Sequence, residues 1–193
     1  MLAGMRVIAG THRGRRLNAP RTDYLRPTSD RVREALFSIL RNRLTNSRFL
    51  DLYAGTGAVG IEAVSRGATH VTSVESDRAA LKLLERNVQI CQIGDALSMR
   101  AQAVEDFLDN PAQWNGPYDI VFADPPYSDA PKFSALLSKP QTDQLFNVDS
   151  WLVIEHATKT TLPVSLGPRP FLRRYRYGDT TLSVYSSPNA VQP

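Results

Sequence analysis

Apolar segments with strand character alternate with helical segments from residue 49 onward, and this alternation is the feature that most constrains the fold. Strands separated by helices are joined by right-handed crossovers, which gives a parallel sheet with helices on both faces. A hairpin near the carboxyl end, with Gly178-Asp179 as its turn, would add one antiparallel strand. The sequence thus predicts an α/β fold of Rossmann-like type with seven strands at residues 49–52, 71–74, 97–103, 118–123, 151–155, 171–177 and 180–186.

The residues before this alternation are expected to form a small extension. Residues 5–20 have the pattern of a hairpin whose turn spans Gly10 to Gly14. Thr28-Ser29-Asp30 can cap a helix, and the apolar residues that follow have helical spacing. They are Val32, Leu36, Ile39, Leu40 and Leu44. We therefore expect a hairpin-plus-helix extension over 1–47, a main domain over 48–187 and a disordered tail over 188–193.

The extension is strongly basic. Residues 1–48 contain eleven arginines, no lysine and three carboxylates, a net charge of +8 in a chain whose total is +4. Such a cluster could be a solvated face, or it could bind phosphates, since guanidinium forks match phosphate oxygens and release counterions on binding. The exclusive use of arginine favours the phosphate-binding surface.

Composition limits the remaining possibilities. A chain of 193 residues fits one domain, and a monomer suits this size. The single cysteine, Cys91, excludes an internal disulfide and a thiolate cluster for zinc, and the three histidines lack partners at ligand spacing. We expect no metal site. The chain shows neither a signal peptide nor an apolar stretch of membrane-spanning length, which favours a cytoplasmic protein.

A glycine-rich turn follows the first predicted strand. Asp51 lies within the strand, and Gly55-Thr56-Gly57 follows it where a helix begins. Glycines allow close approach of a ligand, and a helix N-terminus favours an anionic group. Glu75, at the end of the second strand, can accept hydrogen bonds from ribose hydroxyls. The turn could bind no ligand, or it could bind NAD, because residues 55–60 match GxGxxG.

The spacing from Asp51 to the glycines argues against NAD and resembles the S-adenosylmethionine motif of Rossmann-like methyltransferases. The resemblance implies that Asp51 lies near the methionine amino group of the cofactor and that Glu75 binds its ribose. We expect Tyr53, Gly55, Gly57 and Ser76 to line the same site. Relatives often hold the adenine amine with an Asp after the third strand. Ala103 falls near that position here, so we expect Gln102, Glu105 or a backbone carbonyl to replace it.

Asp124-Pro125-Pro126-Tyr127 follows the fourth strand, at the same edge of the sheet as the glycine-rich turn. Two prolines stiffen this exit and leave carbonyls free to accept hydrogen bonds. Asp124 and the Pro125 carbonyl can then hold one amino group, which suits an exocyclic base amine whose lone pair is delocalised into its ring. Tyr127 offers a face on which an extruded base can stack. A rigid loop with a packed tyrosine is the alternative.

Longer matches resemble one family. The segments that carry the resemblance are Arg6 to Gly10, Gly14 to Leu17, Arg26 to Phe37, Asp51 to Ala68 and Asp124 to Tyr127. They are similar to the RsmD family of bacterial enzymes, which methylate N2 of a guanine in a hairpin loop of 16S ribosomal RNA. The resemblance covers roughly residues 5–185 and implies a seven-stranded class I methyltransferase fold. It also implies that Arg13, Arg15, Arg26 and Arg31 touch phosphates and that Thr28 lies near the active site.

We therefore expect an S-adenosylmethionine-dependent RNA methyltransferase that acts on ribosomal RNA or the assembling small subunit. Three alternatives remain. The Asp-Pro-Pro-Tyr motif also serves DNA adenine-N6 methyltransferases, although these usually carry a separate target-recognition region. A protein-glutamine or small-molecule methyltransferase would not need the basic extension. A non-catalytic RNA-binding module would not need the acceptor motif.

Overall fold

The structure, a computed structural model, describes residues 5–20, 30–126 and 130–187. The helices are α1 (Asp30–Ile39), α2 (Ala58–Ser65), α3 (Arg78–Cys91), α4 (Val104–Leu108) and α5 (Ala130–Leu137). The strands are β1 (Arg48–Leu52), β2 (His70–Glu75), β3 (Leu97–Ala101), β4 (Tyr118–Ala123), β5 (Phe146–Ala157), β6 (Ser165–Leu166), β7 (Arg169–Tyr177) and β8 (Thr180–Ser186). No helix within these ranges is long and apolar enough to cross a membrane.

All the strands belong to one sheet, in the order β3-β2-β1-β4-β5-β8-β7-β6. The first five are parallel, whereas β8 lies antiparallel between β5 and β7. The predicted Rossmann-like α/β sheet with one antiparallel strand in its terminal hairpin is confirmed. The prediction of seven strands missed β6, because two residues that pair with the start of β7 are too short to give an alternating pattern.

The order of the strands reverses between β1 and β4, and this switch point positions the site. Chain order runs outward from β1 through β2 to β3 on one side, and from β4 to β5 on the other. The carboxyl ends of β1 and β4 are adjacent because Leu52 pairs with Ala123. Open α/β sheets bind their ligands beyond the strands at such a point.

Each face of the sheet covers its own hydrophobic core. On one face, Phe49, Val71 and Phe122 pack with residues of α1, α2 and α3. On the other, Leu50 and Val121 pack with residues of α4 and α5. The two sets alternate along β1 and β4, which is the pattern of a sheet that is buried on both sides. The central strands are therefore rigid supports for the residues at their carboxyl ends.

The amino-terminal arm folds back on itself as predicted and joins the first core. Backbone hydrogen bonds connect Val7 with Arg15 (3.0 Å) and Leu17 with Met5 (2.8 Å). Met5, Val7 and Leu17 are buried in the same cluster as α1. The proposed N-cap residues Thr28 and Ser29 lie outside the described residues.

Several predicted bounds require correction. The helix expected to reach Leu44 ends at Ile39 and continues as a 3-10 turn over Arg41–Arg43. The strand expected over 151–155 extends over Phe146–Ala157, and its pairing with β4 shifts register near Tyr118. The third strand ends at Ala101, two residues earlier than predicted. Helix α3 begins at Arg78 because the carboxylate of its N-cap residue Asp77 accepts a hydrogen bond from the Ala80 amide (2.7 Å).

Candidate active site

The turn between β1 and α2 has an unusual backbone. Tyr53, Gly55 and Gly57 all have positive φ angles of 62°, 55° and 76°. The positive φ angle of Tyr53 is energetically unfavourable, since only glycine adopts the left-handed region without steric penalty. Its half-buried ring meets the Phe133 ring edge-on, with the centroids 5.7 Å apart. The side chain thus packs beside the site while its backbone turns the chain.

The glycines at this turn allow the helix to approach the sheet. A Cβ atom at Gly57 would lie 2.8 Å from the Leu84 Cγ atom. At Gly60 it would lie 2.8 Å from the Ser73 hydroxyl and 3.2 Å from an Asp51 carboxylate oxygen. A Cβ at Gly55, by contrast, would meet nothing within 4 Å. Gly57 and Gly60 therefore serve packing, whereas Gly55 borders open space where a ligand can approach.

Asp51 is a buried carboxylate among other carboxylates. It is 1% exposed, and its Oδ2 atom accepts a hydrogen bond from the Gly60 amide (3.0 Å). Burial, with a smaller contribution from the charges of Asp124 and Glu75, raises the pKa of Asp51 to about 8 against the lowering effect of that hydrogen bond. A cation bound here would stabilise the ionised form. The buried acid thus fits the ammonium group of an amino-acid cofactor.

The raised pKa of Asp51 predicts a pH-dependent stability in the absence of cofactor. A carboxyl group whose pKa is higher in the folded than in the unfolded chain stabilises the fold at low pH and loses this contribution as pH rises towards its folded pKa. We expect the free energy of unfolding to fall between about pH 4, where an aspartate of the unfolded chain ionises, and about pH 8, and to fall less in Asp51→Asn, because asparagine does not ionise. Urea denaturation at several pH values measures this. Parallel curves for the two proteins would contradict the assignment.

Glu75 closes the glycine-rich turn. One of its carboxylate oxygens accepts a hydrogen bond from the Gly55 amide (2.7 Å), and the other accepts from the amides of Ser76 and Asp77 (both 2.8 Å). Sequence reasoning assigned Glu75 to the cofactor ribose but did not predict these hydrogen bonds to backbone amides. Ser76 is exposed beside it. Glu75 thus links the end of β2 to the turn after β1.

Gln102 lies after β3, on the far side of the same edge. Its Nε2 group donates to the side-chain Oε1 atom of Gln113 (2.6 Å), which fixes the orientation of the Gln102 side-chain amide. Its own oxygen accepts no hydrogen bond within the described residues. Ala103 is the N-cap of α4, and its carbonyl accepts from the Phe107 amide (3.1 Å). Among the candidates to replace the adenine-binding Asp of relatives, Gln102 therefore offers a side-chain oxygen of fixed orientation as the acceptor.

Asp124 follows β4 beside the end of β1. Its amide donates to the Leu52 carbonyl (3.3 Å), which continues the pairing of the two strands by one residue. The Asp124 side chain is half-buried, Pro125 is buried and Pro126 is exposed. Tyr127 lies outside the described residues, so its stacking role stays a prediction. The structure thus brings Asp124 to the site of Asp51 and Glu75, close enough for their charges to interact.

Comparison with known proteins identifies the family. A family model described as "Conserved hypothetical protein 95" matches residues 5–186. "Ribosomal RNA small subunit methyltransferase D" of Escherichia coli is 43% identical over 123 residues. The chain belongs to the RsmD family. The aligned part covers 64% of this chain and 60% of the E. coli protein.

Two further relatives of the RsmD type match nearly end to end. "Putative rRNA methyltransferase YlbH" of Bacillus subtilis is 33% identical over 94% of this chain and 98% of its own length. The solved structure "Putative methyltransferase yhhF" of E. coli is 33% identical, has a TM-score of 0.79 and covers 95% of this chain and 98% of its own. The predicted family and the predicted class I methyltransferase fold are confirmed.

Only some arginines of the basic extension of this RsmD family member are exposed at the surface. Arg13 and Arg31 are exposed, whereas Arg15 is half-buried and donates to the Ile90 carbonyl (3.0 Å). Arg33 is fully buried and donates to the Arg6 carbonyl and to Asp30, and burial lowers its pKa. Arg33 therefore adds no charge to the exposed basic surface of the extension. Arg26 and Thr28 lie outside the described residues.

Buried polar residues hold the arm against the methyltransferase sheet, and sequence reasoning gave them no role. Glu62 is fully buried in α2, and its carboxylate accepts hydrogen bonds from the amides of Ile8 (2.7 Å) and Ala9 (2.9 Å) and from Arg66 (2.6 Å). Asn87 in α3 is also fully buried and binds Asn18 and the Thr56 carbonyl. The sequence did contain an indication of the role of Glu62, because it is a charged residue in a helix of mostly small apolar residues.

Proposed function

We propose that this protein transfers a methyl group from S-adenosylmethionine to the exocyclic N2 amine of a guanine in a hairpin loop of 16S ribosomal RNA. The observation that carries the proposal is the position of Asp124 and Pro125 at the β1–β4 switch point. There they lie beside a buried acid suited to the ammonium group of an amino acid. The names of the relatives, which include two rRNA methyltransferases, support this class of substrate.

The cofactor-holding residues follow from their chemistry. Asp51 would bind the methionine ammonium, and the N-terminus of α2 would favour its carboxylate, since the N-cap residue Gly57 has no side chain to bind the helix amides. Glu75 would accept from the ribose hydroxyls, and the Gln102 oxygen would accept from the adenine amine. Tyr53, Gly55 and Ser76 border the same space. When bound, S-adenosylmethionine supplies an electrophilic methyl group on a positively charged sulfur.

Replacing Glu75 with glutamine should weaken cofactor binding. The variant keeps the shape but loses the charge, and its NH2 group would face one of the amides that Glu75 now accepts from. Hydrogen bonds to charged groups contribute about 1.5–3 kcal/mol, so the Kd for S-adenosylmethionine should rise roughly 10- to 100-fold. Isothermal titration measures it.

Asp77→Asn is the matched control for Glu75→Gln. Asp77 is two residues away, and asparagine there loses the same charge while it can still cap α3. Its Kd should stay near that of the unaltered protein. Equal titrations for Glu75→Gln and the unaltered protein would reject the ribose contact.

The acceptor residues would act by orientation and electrostatics. The guanine N2 lone pair is delocalised into the ring, so the amine is a weak nucleophile. Two acceptors, the Asp124 carboxylate and the Pro125 carbonyl, would fix the nitrogen through its two hydrogens and direct it at the methyl group. The carboxylate would also stabilise the positive charge that develops on the nitrogen. Tyr127 would stack on the base.

The extension of residues 1–47 would bind the RNA while residues 48–187 carry out the transfer. Exposed Arg13 and Arg31, half-buried Arg15 and also Arg26 would contact phosphates, and Thr28 would lie near the active site. Loop bases can be extruded without breaking a duplex, which suits an enzyme that must reach one amine. We propose that the protein works as a cytoplasmic monomer on ribosomal RNA or the assembling small subunit.

Labelled methyl transfer to several substrates tests the proposal. We expect transfer from S-adenosylmethionine to 16S ribosomal RNA or to small ribosomal subunits from cells that lack the enzyme, and none to adenine-containing DNA or to a glutamine-containing protein. Incorporation confined to DNA would favour the adenine-N6 alternative, which shares the acceptor motif. Incorporation into none of these substrates would overturn the proposal.

A further inference from the structure

The edge strand β7 carries a basic and aromatic surface that the proposed reaction does not use. It consists of Phe171, Arg173, Arg174, Tyr175 and Arg176, hereafter the β7 surface. All three of its arginines and Phe171 are exposed. Strand β6 pairs only with Arg169 and Pro170, so among the described residues the rest of β7 borders β8 alone and its other edge is open. The surface is therefore available to a partner.

Two arginines of the β7 surface lie over rings, the third, Arg176, donates to the Gly178 carbonyl (3.3 Å), and carboxylates neutralise none of them within the described residues. The Arg173 guanidinium lies 5.4 Å from the centroid of the Tyr175 ring, and that of Arg174 lies 5.5 Å from the centroid of Phe171. Within the described ranges, none of the three forms an ion pair.

Arg169 on the same strand shows the contrasting structural use of an arginine. It is 2% exposed, bonds to Asp143 (2.9 Å) and donates to the Leu137 carbonyl (2.9 Å). Charges on an open strand edge also prevent edge-to-edge aggregation, and lysine serves that purpose well. Three arginines with adjacent rings instead form the combination that binds single-stranded nucleic acid, with phosphates at the guanidiniums and bases at the rings.

The position of β7 relates this surface to the acceptor site. Strand β7 is parallel to β5, so its carboxyl end lies at the same edge of the sheet as Asp124. The turn after β7 confirms this placement, because Thr158, just after β5, bonds to the Asp179 carbonyl (2.8 Å) and the Gly178 carbonyl (3.0 Å). Three strand spacings separate β4 from β7, about 14 Å. That distance spans about four nucleotides of a stacked strand.

We propose that the β7 surface binds the RNA strand that flanks the target nucleotide, on the side of the site opposite the strands β2 and β3. This inference rests on the proposed function and extends it. Arg174 and Arg176, whose partners in β8 are Ser183 and Thr181, lie on one face of the sheet and would contact successive phosphates. The exposed Phe171 ring beside Arg174 offers a stacking face.

The double variant Arg174→Gln, Arg176→Gln tests the inference with naked 16S ribosomal RNA. Its KM for RNA should rise about three- to tenfold, while kcat and the Kd for S-adenosylmethionine hold. The slope of log affinity against log salt should become shallower by about 1 to 2, since each lost phosphate contact removes close to one unit. The variant with lysine at both positions should recover most of the slope, because lysine retains the charge.

A charge-matched control separates a local contact from a general loss of charge. Lys82→Gln, Arg86→Gln removes two exposed positive charges from α3, which packs near β3 at the other end of the sheet, and should leave KM nearly unchanged. An equal loss in this control, or an unaltered KM in the β7 variant, would overturn the inference. A defect seen only with assembled subunits would also overturn it and indicate a protein contact.

The product formed by the unaltered enzyme tests the proposed function separately. Absence of N2-methylguanosine would reject that function, whereas the loss of RNA affinity in the β7 variant would still stand as evidence for the surface. Unchanged RNA affinity together with normal N2-methylguanosine would reject the surface alone.

Discussion

Replacing Asp124 with asparagine is expected to lower kcat for RNA methylation by roughly 10²- to 10³-fold, the usual cost of losing one preorganised group that stabilises transition-state charge. Asparagine has the same shape but presents an NH2 group where the carboxylate would accept from the base amine. It also cannot offset positive charge on the nitrogen. Single-turnover transfer of a labelled methyl group measures the chemical step directly.

Cofactor binding distinguishes this loss from general damage to the site. The Asp124 charge helps to raise the pKa of Asp51, so its removal should leave cofactor affinity unchanged or slightly higher. Asp106→Asn, on the exposed side of α4, loses the same charge away from the site and should retain full activity. An Asp124→Asn enzyme with normal kcat would show that the carboxylate does not hold the acceptor amine.

Replacing Glu62 with glutamine should have the largest effect on stability. Its buried carboxylate joins the amides of Ile8 and Ala9 to the partly exposed Arg66, and the side-chain amide of glutamine cannot accept all three hydrogen bonds. We expect the free energy of unfolding to fall by about 1–3 kcal/mol, the cost of leaving a buried donor without a partner. Chemical denaturation measures this change, and the Ile8 and Ala9 amides should lose protection from hydrogen exchange before the rest of the sheet does.

Glu85→Gln, at an exposed position of α3, removes the same charge and should leave stability within about 0.5 kcal/mol. Because the arm carries Arg13 and Arg15, its release should also weaken RNA binding while cofactor affinity holds. If Glu62→Gln unfolds like the unaltered protein, or if its Ile8 and Ala9 amides stay protected, the carboxylate does not anchor the arm.

The sequence could predict the sheet and the site because both are determined by local patterns. Runs of apolar residues ended by glycines or prolines specified β1, β4 and the turns that follow them, and parallel strands bring their carboxyl ends to one edge. Asp51 lies one residue before the end of β1, Glu75 ends β2 and Asp124 follows β4. Their meeting at one edge was therefore predictable from the order of the strands alone.

Contacts between distant segments could not be predicted in the same way. Glu62 lies 54 residues from Ile8, and nothing local shows that a carboxylate in α2 faces the hairpin. Arg33 looked like its exposed neighbours because the helical pattern marks apolar positions, whereas a buried guanidinium is revealed only by its partners, the Arg6 carbonyl and Asp30. Two-residue β6 has too few residues for any periodicity.

Nucleoside mass spectrometry of the methylated RNA tests the central claim most directly. The enzyme would be incubated with S-adenosylmethionine carrying a labelled methyl group and with 16S ribosomal RNA from cells that lack it, and the RNA would then be digested to nucleosides. The account predicts the label in N2-methylguanosine and its absence when Asp124→Asn replaces the enzyme. Label in N6-methyladenosine would contradict the account.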